Sequence, residues 1–222
     1  MVVWVLIPQL VAGPLAAWLM NRLPGRLLMA AGFSITAIAC LMNARLTSAW
    51  TDTNFWISQL FLGVGLSLTF VSLIGSNIQQ LAETGAVFRP VDMLTFSAYL
   101  HTIRLLGGEA GTGIIQRLLT LREQFHSNII GLNVDLGNWV TGDRLTLLTG
   151  GLFPGSAGMD EAQARAAMVL GGQVRAQATT LAYADAFTAC ALVAAATMIL
   201  LAFMKPMRIG FGAPATPATS QR

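Results

Sequence analysis

The sequence predicts an all-α fold, a polytopic membrane helix bundle with about five transmembrane helices, and three observations carry that prediction. The first is composition. Of 222 residues 55% are apolar and only 10% charged, with a mean hydropathy of +0.64, whereas a soluble domain carries about 25% charged residues. So few charges cannot cover a water-facing surface. The second is the recurrence of mostly apolar stretches of roughly 20 residues, the length a helix needs to cross lipid. The third is the position of the basic residues, which gather at the edges of those stretches as they do around membrane spans.

Taken in order, the expected spans cover residues 2–20, 27–46, 55–78, 93–116 and 181–204. Trp4, Trp50 and Trp56 fall where an interfacial aromatic belt would lie. Gly63 and Gly65 inside the third span suit helices that pack closely on other helices. Residues 21–26 form a tight basic turn around Pro24 and Gly25, and residues 47–54 a short polar link. A longer loop follows at 79–92. Residues 117–180 form a long, more polar segment rich in turn residues such as Asn133, Asn138, Gly142, Pro154 and Gly155. Within it Asp160 and Glu161 open a helix expected over 160–179, since acidic groups complement the positive end of the helix dipole. The tail, 209–222, is rich in Gly, Ala, Pro and Thr and is expected to be disordered and cytoplasmic. Residues 1–208 therefore read as one transmembrane bundle, with 117–180 outside the cytoplasm.

Orientation follows from charge. With the 21–26 turn, the 79–92 loop and the C-terminus in the cytoplasm, Arg22, Arg26, Arg89, Lys205, Arg208 and Arg222 lie inside. The opposite side then has Arg45 in its short loop. Arg117, Arg122, Arg144, Arg165 and Arg175 belong to the long segment, and long translocated segments are largely exempt from the charge rule. An odd number of spans puts the termini on opposite sides. The first 20 residues lack the basic start and small-residue cleavage site of a signal peptide.

Several function classes fall away. The net charge of +3 and pI near 9.4 come without a basic cluster or basic helix face, which argues against nucleic-acid binding. No nucleophile elbow, zinc-protease helix or phosphate loop is present, and the two histidines lack metal-ligand spacing, so no enzyme, metal or cofactor is expected. Cys40 and Cys190 lie in apolar runs and read as packing thiols.

The fourth span concentrates the chemistry. It places His101, Arg104 and Glu109 at membrane depth, where ionisable groups are costly unless they face a cavity or partner, so they are the transport or gating candidates. At about 100° per residue, His101 and Arg104 stand about 60° apart, and Glu109 lies about 80° from His101 on its other flank. Arg104 and Glu109 are thus separated by about 140° and do not pair with each other. Arg104 can take part in transport or tie helices together through backbone carbonyls; His101 can carry protons or fill a core. Gly107, Gly108 and Gly111 are the helix-packing candidates, Gly107 and Gly111 at the four-residue spacing that lets helices approach closely. His126, beside Arg122 and Glu123, reads as an ordinary solvated side chain.

Together Q-L-F-L-G-V-G-L-S-L-T-F-V-S-L (59–73) and I-R-L-L-G-G-E-A-G (103–111) resemble the closing spans of the EmrB/QacA-type drug:proton antiporters, fourteen-span members of the major facilitator superfamily. R-E-Q-F-H (122–126) and L-A-Y-A-D-A-F (181–187) are similar to the two ends of that family's long outer loop. M-N-R-L-P-G-R (20–26) resembles a degenerate copy of its cytoplasmic loop motif, with Asn21 where an Asp is usual and Arg22 and Arg26 retained. Glu109 departs from the small or polar residue common after the glycine pair. The resemblance implies part of a C-terminal bundle in the inner membrane of a bacterium. It also implies an N-terminal bundle as partner, a hydrophobic or amphipathic small-molecule substrate, and an approach to a periplasmic adaptor and outer-membrane channel. Because only five spans are expected here, the chain is read as a portion of such an exporter that does not transport by itself. The competing expectation is a membrane assembly module that moves nothing.

Overall fold

The computed structural model describes residues 2–83, 90–134 and 138–203, and these are almost wholly helical, with no strand among them. Six helices follow in order: α1 (Val2–Met20), α2 (Gly25–Asn43), α3 (Trp56–Glu83), α4 (Pro90–Asn133), α5 (Trp139–Leu152) and α6 (Met159–Phe203). Short 3-10 turns at Asp52–Phe55 and Phe153–Gly155 precede α3 and follow α5. Arg89, Lys205, Arg208, Arg222 and the tail expected over 209–222 lie outside the described residues, as does the Trp4 side chain.

Three helical stretches are long and apolar enough to cross a membrane: Gly25–Asn43, Asp52–Gln79 and Met159–Phe203. That fits a membrane protein. Two of the five expected spans differ from these. The described apolar part of α1, Leu6–Met20, is shorter. Within α4, His101, Arg104, Glu109 and the neighbouring glycines lower the hydropathy of a helix that has ample length.

The chain divides into two compact units, the first made of Met1–Ala39, Trp56–Thr102 and Ala191–Arg222. Its core is built by Ala16, Leu28 and Leu68, with Leu19, Met20, Leu23, Ile35, Val64 and Val71 packed around them. Small residues set the helix spacing. A Cβ on Gly32 of α2 would collide with Thr69 Oγ1 and stand 2.7 Å from the Thr69 nitrogen. A Cβ on Gly65 of α3 would stand 2.5 Å from Thr36 Oγ1 and 2.9 Å from the Thr36 nitrogen. The crossing is reciprocal, each glycine seated against the threonine four residues past the other. Each threonine hydroxyl is spent inside its own helix, Thr36 on the Gly32 carbonyl and Thr69 on the Gly65 carbonyl, both at 2.9 Å. Neither threonine hydroxyl is left seeking a partner at the crossing.

The second unit comprises Cys40–Phe55 and Ile103–Cys190. Here the expected turn-rich segment is almost wholly helical. The fourth expected span runs on to Asn133, and α6 passes residue 180 without a break. Residues 117–130 contain neither Pro nor Gly, and residues 160–203 contain no Pro, so nothing stops either helix. At about 1.5 Å per residue the 44 residues of α4 reach roughly 66 Å, against a hydrocarbon core of about 30 Å. Buried alanines at four-residue spacing (Ala162 and Ala166, then Ala178, Ala182 and Ala186) give α6 a narrow packing seam. Asn138 caps α5 by accepting from the Val140 N–H at 3.1 Å.

Candidate functional site

The sequence candidates of α4 occupy one continuous helix, and the structure leaves that stretch open. His101, Arg104 and Glu109 are all exposed, and so is every residue from 101 to 114. A Cβ added at Gly107, Gly108, Gly111 or Gly113 would meet nothing within 4 Å. The close approach that glycine permits is therefore realised at Gly32 and Gly65, while the denser glycine run of α4 presents bare backbone. In lipid such a face exposes polar peptide groups beside ionisable side chains, an arrangement suited to protein or a water-lined path.

The basic turn between α1 and α2 is held by local bonds. The Leu23 N–H donates to the Leu19 carbonyl at 2.9 Å, and the Leu27 N–H to the Pro24 carbonyl at 2.9 Å. Asn21 is exposed, and Arg22 lies over the Trp18 ring, 5.3 Å from its centroid. Arg26 reaches across the sequence and donates from Nη2 to the Ala202 carbonyl at 2.6 Å. That carbonyl belongs to the last described turn of α6, where the dipole is negative, and the residue four positions on, at 206 in the sequence, is a proline with no N–H to offer it. Arg26 is therefore a C-terminal cap supplied from a distant part of the same chain, and it fixes the 21–24 turn and the end of α6 at the same end of their unit.

A second constellation lies in the other unit, where α4 and α6 run side by side. His126 Nε2 stands 2.8 Å from Asp185 Oδ2, and Arg122 Nε stands 3.6 Å from the same oxygen. The His126 side chain is only 18% exposed, which corrects its reading as an ordinary solvated group. Its ring packs edge-on against Phe125, whose face Arg122 covers at 5.9 Å. Beside it Arg175 Nε donates to Glu123 Oε1 at 3.0 Å, and Arg144 donates to Gln173 at 3.0 Å. The two segments quoted as the ends of the outer loop, 122–126 and 181–187, thus meet through charged side chains. The 59-residue reach from His126 to Asp185 left no local signal in the sequence.

Further along the unit, an apolar groove of about 440 Å³ is lined by Leu145, Thr149, Phe153, Met159 and Gln163, among others. Among the described residues no three His, Cys, Asp or Glu side chains come together as a metal set. In comparisons with known proteins, no family model, no curated protein and no solved structure matches the chain.

Proposed function

We propose that the chain forms part of the C-terminal bundle of a proton-coupled exporter of the EmrB/QacA type, in the major facilitator superfamily. Such a protein moves hydrophobic or amphipathic organic compounds out across the bacterial inner membrane in exchange for protons. In this reading five helices cross the bilayer, α1 and α4 included. The 21–24 turn and the end of α6 face the cytoplasm, and residues 117–180 stand outside, within reach of a periplasmic adaptor and its outer-membrane channel.

The observation that carries the reading is the open stretch of α4. His101 and Glu109 are exposed on a helix whose Gly107, Gly108, Gly111 and Gly113 face empty space. Ionisable groups at membrane depth mark pathways and sites, and bare glycine faces accept further helices. A helix with both features suits the interior of a bundle larger than this chain, in which two halves rock around a site at the midplane. The cap from Arg26 to the end of α6 agrees with a turn and a helix end on one side of the membrane.

Two measurements test this. The DNA upstream of Met1 either continues in frame through the remaining spans or meets a stop codon, and the latter favours a non-transporting assembly module. The chain by itself gives no resistance in a drug-sensitive host. Proton-dependent efflux by the purified 222-residue protein would overturn the reading.

A further inference from the structure

We infer that His126 is a proton-binding site, and that the proton it takes up tightens a clasp between α4 and α6. The inference uses the contacts of one unit and stands whether or not the chain belongs to an exporter.

The geometry fixes where the proton goes. An ionised carboxylate only accepts hydrogen bonds, so the 2.8 Å contact with Asp185 Oδ2 requires a hydrogen on Nε2 of His126. In the neutral ring Nδ1 is then the free base. Binding a proton at Nδ1 turns a neutral donor into an imidazolium facing a carboxylate. The surrounding charges are Arg122 and Glu123 on α4, and Asp185 and Arg175 on α6. Glu123 and Arg175 answer each other at 3.0 Å. Arg122 shares Asp185 Oδ2 with His126, but at the longer distance of 3.6 Å and with 47% of its side chain exposed, where water screens it. His126 holds the shorter contact with most of its side chain covered. Before protonation the Arg122–Asp185–His126 group is neutral; afterwards it carries one positive charge, and the His126–Asp185 bond becomes charge-assisted on both sides, the stronger class.

Location gives the clasp its meaning. Residues 186–203 carry no charged side chain, and Asp185 is the charged residue immediately before that run. The clasp therefore sits where α6 passes from its polar part into its apolar part. Imidazole is the side chain whose charge changes in the neutral range.

The test is amide hydrogen exchange on the full chain in lipid nanodiscs at pH 5.5 and 8, corrected for the intrinsic pH dependence of exchange. The expected result is roughly fivefold greater protection of residues 119–130 at the lower pH, the size of effect that one strengthened charge-assisted bond has on local opening. His126→Gln keeps a donor for Asp185 but has no proton to gain, so it should remove the pH response, as should Asp185→Asn. Arg122→Gln should retain it. The exchanged pair, His126→Asp with Asp185→His, restores a titratable pair and should restore the response even if a single variant folds poorly. Equal protection at both pH values in the natural sequence would overturn the inference. So would a response that survives His126→Gln, or one that Arg122→Gln abolishes.

Discussion

Gly32 and Gly108 are both glycines inside long helices, and they meet opposite surroundings. At Gly32 the neighbouring helix has come so close that the Thr69 backbone nitrogen lies 2.7 Å from where a Cβ would be. At Gly108, in a run with Gly107, Gly111 and Gly113, nothing lies within 4 Å. Small residues license a close approach without saying whether the partner helix is in the same chain. For α2 and α3 it is; for α4 the glycine face is available to something else.

The sharpest way to break this comparison is to fill both glycine faces. Gly32→Leu drives a branched side chain into Thr69 and the Gly65 carbonyl, backbone atoms that cannot rotate away. Overpacking a tight core costs about 1–3 kcal/mol and more when backbone must move. The expected outcome is loss of the folded bundle, read as collapse of the SDS-unfolding midpoint and of an α2–α3 disulfide crosslink. Gly108→Leu in the same chain should leave both unchanged. Equal damage from the two substitutions would mean that α4 is packed where it is described as open.

Arg104 comes next, and its test rests on the proposed exporter in its complete form. If its guanidinium holds a substrate anion or one conformational state, Arg104→Lys fails despite keeping the charge, because ammonium lacks the planar multi-donor fork. Arg104→Ala should lower efflux as well, because the state it supports loses the guanidinium contacts. The readout is efflux per correctly inserted molecule. Normal efflux by Arg104→Ala at normal abundance removes Arg104 from the site, whereas low abundance with normal specific efflux makes it a helix tether.

The α6 cap is a smaller effect. Arg26→Ala removes one charge-assisted bond to the Ala202 carbonyl at an exposed helix end, worth about 0.5–1 kcal/mol. Exchange should rise two- to fivefold in residues 198–203 and stay constant in the glycine crossing. Fraying that spreads to Gly32 and Gly65 would mean that the cap holds the packed helices together.

What sequence could and could not reveal follows the same division. The helical class was legible because periodicity, length and the lack of charge are local. Gly65 was legible as a packing residue, yet its partner Thr36 was not, because reciprocity between two helices is not written in either. The run through residues 117–130 was open to inspection: turn residues further on drew attention from a stretch with no Pro or Gly to stop it. His126 could not be seen as covered, since its cover is a side chain 59 residues away. Arg104 and Glu109 stood out for the opposite reason, since a charge within an apolar stretch is conspicuous before any partner is known.

The smallest effect lies at the start of α6, where backbone donors rather than glycine contacts set the local structure. Glu161 Oε2 accepts from the Ala157 N–H at 2.6 Å, and Oε1 accepts from Arg165 at the same distance. These contacts, the backbone bond first and the Arg165 charge second, hold the Glu161 carboxyl below its ordinary value of 4.5. A carboxyl whose value is depressed by folding contributes stability that is fully present above its unfolded value. That contribution is lost as pH falls through the folded value. Acidification from pH 6 should therefore leave the α6 start untouched until the range below about 4.5 and then loosen residues 157–165 as the carboxyl takes up its proton. Glu161→Gln should show the looser exchange at every pH, with no step. Because the group is solvent-exposed, the step should be slight and should shrink in added salt. A step that instead reached the Gly32–Gly65 crossing would show that the polar helix start and the glycine-packed core melt together, and the contrast between the two regions would not survive it.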